Sequence, residues 1–202
     1  MNHLAHLLLA GPDEALRVGG FLGDFVRGRL KGDYSAAIER GIALHRHIDV
    51  TTDRHPAVRE ALTHFEGDPR RWAPVALDVW FDYLLARDFV RHAGEPLEAF
   101  ADAALEQLMA HRDVMPPRAQ QYLDRLIEHR ILVRYRDADT IAQVLARMAM
   151  RSPRATPLAS ITPVLHRLED ELRDTFGRLL PDLRFAVQNW LRSESGHGNG
   201  EA

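Results

Sequence analysis

The chain reads as an all-α protein, a single-domain multi-helix bundle, and three observations carry that expectation. Apolar residues recur three and four apart along most of the 202 residues, the spacing that gathers them on one face of a helix. No run alternates apolar and polar residues between hairpin turns, as a half-buried strand does. Prolines and glycines punctuate the segments without forming a linker long enough to divide two domains. A hydrophobic fraction of 46% suffices for one sizeable core,.

Taken in order, a short helix over residues 2–10 stops at Gly11-Pro12, and Asp13 is the N-cap of a second that runs into Gly19-Gly20,. His3 and His6, three apart, share a face of the first. Gly19, Gly20, Gly23 and Gly28 each weaken a helix by roughly 1 kcal/mol against alanine. Such a segment is expected where backbones approach closely. Asp24 sits there between Leu22, Phe25 and Val26. A long helix follows from about Tyr34 to Arg54, ended by His55-Pro56, then another around 57–65 closed by Gly67-Asp68-Pro69. The longest apolar segment runs from Trp72 to about His92. Beyond Gly94-Glu95-Pro96, helices are expected over about 96–113, 117–133, 138–150, 157–177 and 181–192. Their breaks are Pro116-Pro117, Asp137-Ala138-Asp139, Ser152-Pro153 and Gly177 to Pro181. The domain is placed at residues 1–192, with 193–202 expected as a flexible tail,.

Composition narrows the function classes. The formal charge of −3 gives no global signal for nucleic acid or an anionic membrane,. Lys31 is the only lysine among 26 basic residues, so arginine supplies the other 25. Codon bias accounts for that, but arginine is also the better reader of phosphate and carboxylate. With no cysteine, disulfides, thiolate nucleophiles and Cys-ligated zinc are excluded,. A metal would have to be held by His, Asp and Glu. The opening residues lack the basic n-region and long apolar core of a signal peptide. No stretch approaches the ~20 apolar residues of a membrane span, so a cytoplasmic location is expected.

His45 and Asp49 stand four apart in the helix from Tyr34 to Arg54 and converge on one point. Their stripe contains Ile38, Gly41, Ile42 and Thr52, an inward-facing set. An inward carboxylate needs a partner, because an unpaired buried charge costs several kcal/mol or more; an arginine or a metal ion would serve. Asp78 and Asp82 are a second four-apart pair, on the apolar helix, and Asp82 has no Lys or Arg three or four residues away. Two such carboxylates repel unless something positive lies between them. Hard oxygen donors with one or two imidazoles suit a divalent ion of the Mg/Mn/Fe class or zinc, and helical bundles build such sites in their cores. Each aspartate taken singly is explained as well by a salt bridge to one of the arginines. The other histidines share no comparable geometry and read as surface or satisfied residues.

Four stretches together carry a resemblance: Met1 to Leu7 (MNHLAHL), Gly23 to Gly28 (GDFVRG), Gly41 to Asp49 (GIALHRHID) with Thr52 to Pro56 (TDRHP), and Leu77 to Ala86 (LDVWFDYLLA). In this order and spacing the chain resembles the bacterial acyl carrier protein phosphodiesterase family, a divergent branch of the HD-type metal-dependent phosphohydrolases. The resemblance covers roughly the first ninety residues and implies an HD-domain-like fold. It also implies a manganese-dependent enzyme that hydrolyses the phosphodiester joining 4′-phosphopantetheine to a serine of holo acyl carrier protein. Where the family commonly has Asp-His, this chain has Asp82-Tyr83, and the phenol is left to hydrogen-bond a phosphate oxygen.

The two readings fall on the same residues. Asp24, His45, Asp49, Asp78 and Asp82 are the expected ligands of one or two divalent ions: Mn2+, with Mg2+, Fe2+ or Zn2+ as alternatives. His6 is expected nearby as ligand or acid, and Arg27 and Arg46 as phosphate holders. Docking of an acidic carrier is expected on an arginine-rich face, either Arg125, Arg130, Arg134 and Arg136 or Arg147, Arg151 and Arg154. Two other functions stay open on the sequence: hydrolysis of a nucleotide or other small phosphoester, and a non-catalytic helical interaction protein. Nucleic acid is not expected as a partner, and the oligomeric state is not legible.

Overall fold

A computed structural model describes residues 1–150 and 152–197. Its elements are helices joined by turns and short 3₁₀ segments, with no strand among the described residues. The first four helices are α1 (His3–Leu9), α2 (Glu14–Leu22), α3 (Ala36–Arg54) and α4 (Pro56–Leu62). Next come α5 (Ala73–Arg87), α6 (Phe89–Ala93), α7 (Leu97–Ala110) and α8 (Pro117–Glu128). The chain continues through α9 (Ile131–Arg134), α10 (Ala138–Ala149), α11 (Thr162–Arg167) and α12 (Glu169–His197). Among the described residues no helix is long and apolar enough to cross a membrane.

Caps fix the two helices that matter most for the site. The Asp13 carboxylate accepts from Leu16 N at the start of α2, and Ser35 Oγ accepts from Ile38 N at the start of α3. The two then pack backbone to backbone. A Cβ added at Gly19 would stand 2.3 Å from Ile38 O and 2.5 Å from the Gly41 Cα. The glycines that weaken α2 as an isolated helix are what let it lie against α3. α5 runs between α1, α10 and α12 and is buried on nearly every side, with Leu77, Trp80, Phe81 and Leu85 all at 1% exposure or less. That is why its sequence is apolar all round.

The expected boundaries shift in several places: the helix expected over 157–177 is instead a 3₁₀ segment through Ser160, then α11, then the start of α12. The segment from Trp72 to His92 breaks at Asp88 into α5 and α6, and Gly94 closes α6 in the left-handed region (φ 78°). The expected helix over 117–133 breaks at Arg130, the one non-glycine residue with positive φ (47°) among those described. At the C-terminal end the expected break at Gly177 to Pro181 does not occur: α12 passes through Pro181. An interior proline costs about 3 kcal/mol. Leu172, Phe176, Leu179, Leu180, Leu183 and Val187, buried along α12, each return roughly 1.5–3 kcal/mol, so tertiary packing outweighs the local penalty. α12 also extends through Ser193 to His197, and the rest of the expected tail, 198–202, lies outside the described residues.

Candidate metal centre

α1, α3 and α5 meet where their polar residues face one another. α3 presents His45 and Asp49 one turn apart, and His45 Nε2 lies 3.1 Å from Asp49 Oδ2. Its other nitrogen, Nδ1, is 2.8 Å from Gly20 O. A carbonyl only accepts, so Nδ1 carries a proton, which leaves Nε2, facing the Asp49 carboxylate, as the nitrogen whose lone pair a cation would take in place of a proton. α1 adds His6, with Nε2 3.1 Å from Asp49 Oδ1 and 3.1 Å from Met1 O. The two imidazoles stack, centroids 3.8 Å apart at 18°. Gly23 makes this possible: a Cβ there would stand 2.2 Å from the His45 Cγ.

Asp24, on the turn after α2, forms the outer edge. Its Oδ1 is 3.9 Å from His45 Nε2 and its Oδ2 is 3.5 Å from His3 Nδ1, with its side chain 48% exposed. On the α5 side, Asp78 Oδ1 accepts from the Met1 α-ammonium at 2.9 Å, and the same ammonium reaches Asp49 Oδ1 at 3.3 Å. Asp82 lies deeper, wholly buried. Its Oδ2 accepts from Leu4 N at 2.8 Å and its Oδ1 from Ala5 N at 3.0 Å. The positive group that the Asp78/Asp82 pair demands is therefore the start of α1: an ammonium for one, and the amide end of a helix for the other.

Burial and charge set the protonation states. Burial pulls His6 down to about 4, aided by the neighbouring His45, so it is a neutral imidazole at neutral pH. For His45 burial acts downward too, but hydrogen bonding and charge from Asp49, then the charge of Asp24, outweigh it and leave it raised. Asp49 moves the other way. Burial would raise it, yet hydrogen bonds from His45 and His6 hold it far below the usual carboxylate range. Asp82 is pushed up to about 7 by burial, against the pull of the Leu4 and Ala5 amides. The Met1 ammonium, despite burial, is raised to about 11 by Asp78 and Asp49.

Of the residues singled out in the sequence, His6, His45 and Asp49 form one cluster with donor atoms within 4.8 Å of one another, and Asp24 and Asp78 flank it. Asp82 is held apart by the two amides. Arg46 is half-buried and donates from Nη2 to Val26 O at 3.0 Å, while Arg27 is exposed on the loop beyond Asp24. Tyr83 is turned toward a different network. Its hydroxyl accepts from Arg87 Nη1 at 3.1 Å, and Arg87 in turn pairs with Glu169 at 2.6 Å. His55, His111 and His166 pair with Asp182, Glu14 and Glu169, in keeping with their reading as satisfied surface residues. Missing from the sequence reading are the Gly20 carbonyl, the Met1 ammonium, and Tyr135, whose hydroxyl accepts from Asn2 Nδ2 at 3.0 Å. Main-chain groups carry no residue-type signal, and Tyr135 sits in an apolar run that reads as core.

The cluster fits a divalent cation on its chemistry. One carboxylate and two imidazoles that both turn Nε2 to it make a mixed N/O donor set for a borderline-hard ion, which would take the place of the ring protons now directed at Asp49,. Fold and cluster together define an all-α protein with an internal His/His/Asp cluster suited to a divalent cation. The chain belongs to the acyl carrier protein phosphodiesterase family, whose model matches residues 1–183. Relatives named acyl carrier protein phosphodiesterase include one from Serratia proteamaculans, 38% identical over 91% of this chain and 95% of its own. One from Escherichia coli O6:K15:H31 is 41% identical over 90% of this chain and 94% of its own. A third, from Yersinia pestis, is 37% identical over 94% and 98%. No solved structure matches the chain.

Proposed function

We propose that this protein is a manganese-dependent, HD-type phosphodiesterase that releases 4′-phosphopantetheine from the serine of holo acyl carrier protein in the cytoplasm. The observation that carries the reading is the convergence of His6 and His45 on Asp49, in a chain that matches relatives named for this activity over 94–95% of their length. His6, His45 and Asp49 would hold the ion, with Asp78 and Asp24 flanking it. A divalent ion bound there would supply a water of lowered pKa and offset charge on the phosphoryl oxygens.

The chain's own groups do the rest. Asp24, half-exposed beside His45 Nε2, accepts the proton of the attacking water and passes it to the departing oxygen. The new phosphorus–oxygen bond forms as the bond to the serine oxygen breaks, leaving a serine hydroxyl on the carrier and free 4′-phosphopantetheine. Arg46, pinned at one nitrogen by Val26 O, turns its remaining N–H groups to the phosphate, with Arg27 beside it. Asp82 acts by holding α1, and hence His6, in register.

Mass spectrometry of purified holo carrier protein, incubated with the enzyme and manganese, tests this. Loss of the phosphopantetheine mass is the expected result. An unchanged carrier beside cleaved nucleotides or other small phosphoesters would move the activity to a different substrate class.

A further inference from the structure

We infer that the cationic loop between α2 and α3 is the surface on which the acidic body of the carrier docks, beside the centre that cleaves its prosthetic group; this rests on the proposed function. Residues 25–32 alternate between anchors and charges. Phe25, Val26 and Leu30 pack against the core, while Arg27, Arg29 and Lys31 are exposed. The loop is built. Gly28 (φ 78°) and Gly32 (φ 84°) occupy the left-handed region, which glycine enters without strain. Gly32 N donates to Glu39 Oε1 at 2.8 Å, and Arg46 Nη2 holds Val26 O at 3.0 Å. Both pins come from α3, the helix that carries His45 and Asp49.

Position beside the cluster singles this loop out among the cationic faces. In the first of the two helical arginine sets expected from the sequence, Arg136 pairs with Glu98 at 2.7 Å and Arg130 with Asp102 at 3.6 Å, which leaves only Arg125 and Arg134 without an ion pair among the described residues. In the second set, Arg151 lies outside the described residues. Among the described residues Arg27, Arg29 and Lys31 form no ion pair with a carboxylate. They also follow directly on Asp24, whose Oδ1 is 3.9 Å from His45 Nε2. A partner steered to this loop brings a phosphoester on its own surface to the metal cluster. Three cations on a chain of net charge −3 suit acidic side chains flanking that phosphoester. They do not suit a long polyanion, which needs an extended basic track with stacking rings.

Lys31 makes the test direct, because it is the only lysine of the chain. Carbodiimide joins a carboxylate to an amine with no spacer, so a cross-link from the carrier's acids to a side-chain amine of this protein must fall on Lys31. The expected result is an adduct with purified carrier protein, mapped to Lys31 by peptide mass spectrometry and lost in high salt. Its absence at low salt overturns the proposal. In the full-length Mn-loaded enzyme, the double variant Arg29→Glu/Lys31→Glu should lower the ratio of carrier to bis(4-nitrophenyl) phosphate turnover by about tenfold. Equal loss on both substrates would mean that the loop shapes the centre and does not dock the carrier. A single-stranded oligonucleotide that competes for Lys31 better than the carrier would also overturn it. A wild-type enzyme that leaves the prosthetic group in place removes the functional reading, whereas the cross-link is read without turnover and judges the loop by itself.

Discussion

His45 is fixed at both ring nitrogens, by the Gly20 carbonyl on one side and Asp49 on the other, so its substitution removes a donor atom that nothing nearby replaces. His45→Ala and Asp49→Ala should each lower turnover by roughly a thousandfold or more and abolish manganese binding. Residues in such a unit do not contribute independently, so the double variant should be no worse than either single one. Helical circular dichroism should stay intact, and metal content by elemental analysis is the check. Either variant retaining both turnover and bound metal removes its residue from the centre. His45 and Asp49 were legible as a pair because helical spacing alone converges them. His6 was legible only as a neighbour: it lies thirty-nine residues from His45, and nothing local says that the two rings stack.

At the scale of elements, α1 is held by α5 through Asp82, and this should show in the pH dependence of stability. Burial raises the Asp82 carboxyl from an ordinary 3.8 to about 7, so the folded protein binds a proton that the unfolded chain releases between those values. That contribution is fully present below about pH 4 and is lost as pH rises toward 7. Asp82→Asn is uncharged at every pH. The stability of wild type relative to this variant should therefore decline across that interval and level off above it, as denaturant unfolding at several pH values would show. A difference independent of pH would mean that the carboxyl is not shifted. Asp82→Ala should cost about 2–4 kcal/mol, since it leaves the Leu4 and Ala5 amides unpaired in the core. The α2–α3 contact offers a sharper separation. Gly19→Ala forces a Cβ against the Ile38 carbonyl and should cost about 3 kcal/mol, read as a lower melting temperature. Gly23→Ala instead meets the His45 ring and should lower turnover with a smaller change in melting temperature. Loss of stability without loss of activity in Gly23→Ala would contradict this placement. The glycines' spacing predicted close approach, but not that one glycine faces a backbone and the other an imidazole.

Over the whole molecule, the cluster joins α1, α3 and α5, elements that are far apart in the sequence and share one core. A ligand bound only by the folded state stabilises it by about 2.7 kcal/mol at a hundred times its Kd. Removing divalent ions with a chelator should therefore abolish turnover and lower the melting temperature, and manganese should restore both. Restoration of turnover with no thermal shift at saturating manganese would place the ion outside this three-helix junction. The same long-range packing explains α12, where burial along one face carries the helix through Pro181 against the local rule that breaks it.

The sequence by itself determined the helical class, the two four-apart pairs and the family, because spacing along a helix and short motifs are local properties of the chain. It could not decide what each inward carboxylate meets. Asp49 meets two imidazoles, Asp78 an ammonium, and Asp82 a pair of amides at the head of α1. Apart from His45, one turn from Asp49, those partners are backbone groups or residues distant along the chain. Only the close approach of α1, α3 and α5 in the folded core brings them within bonding distance.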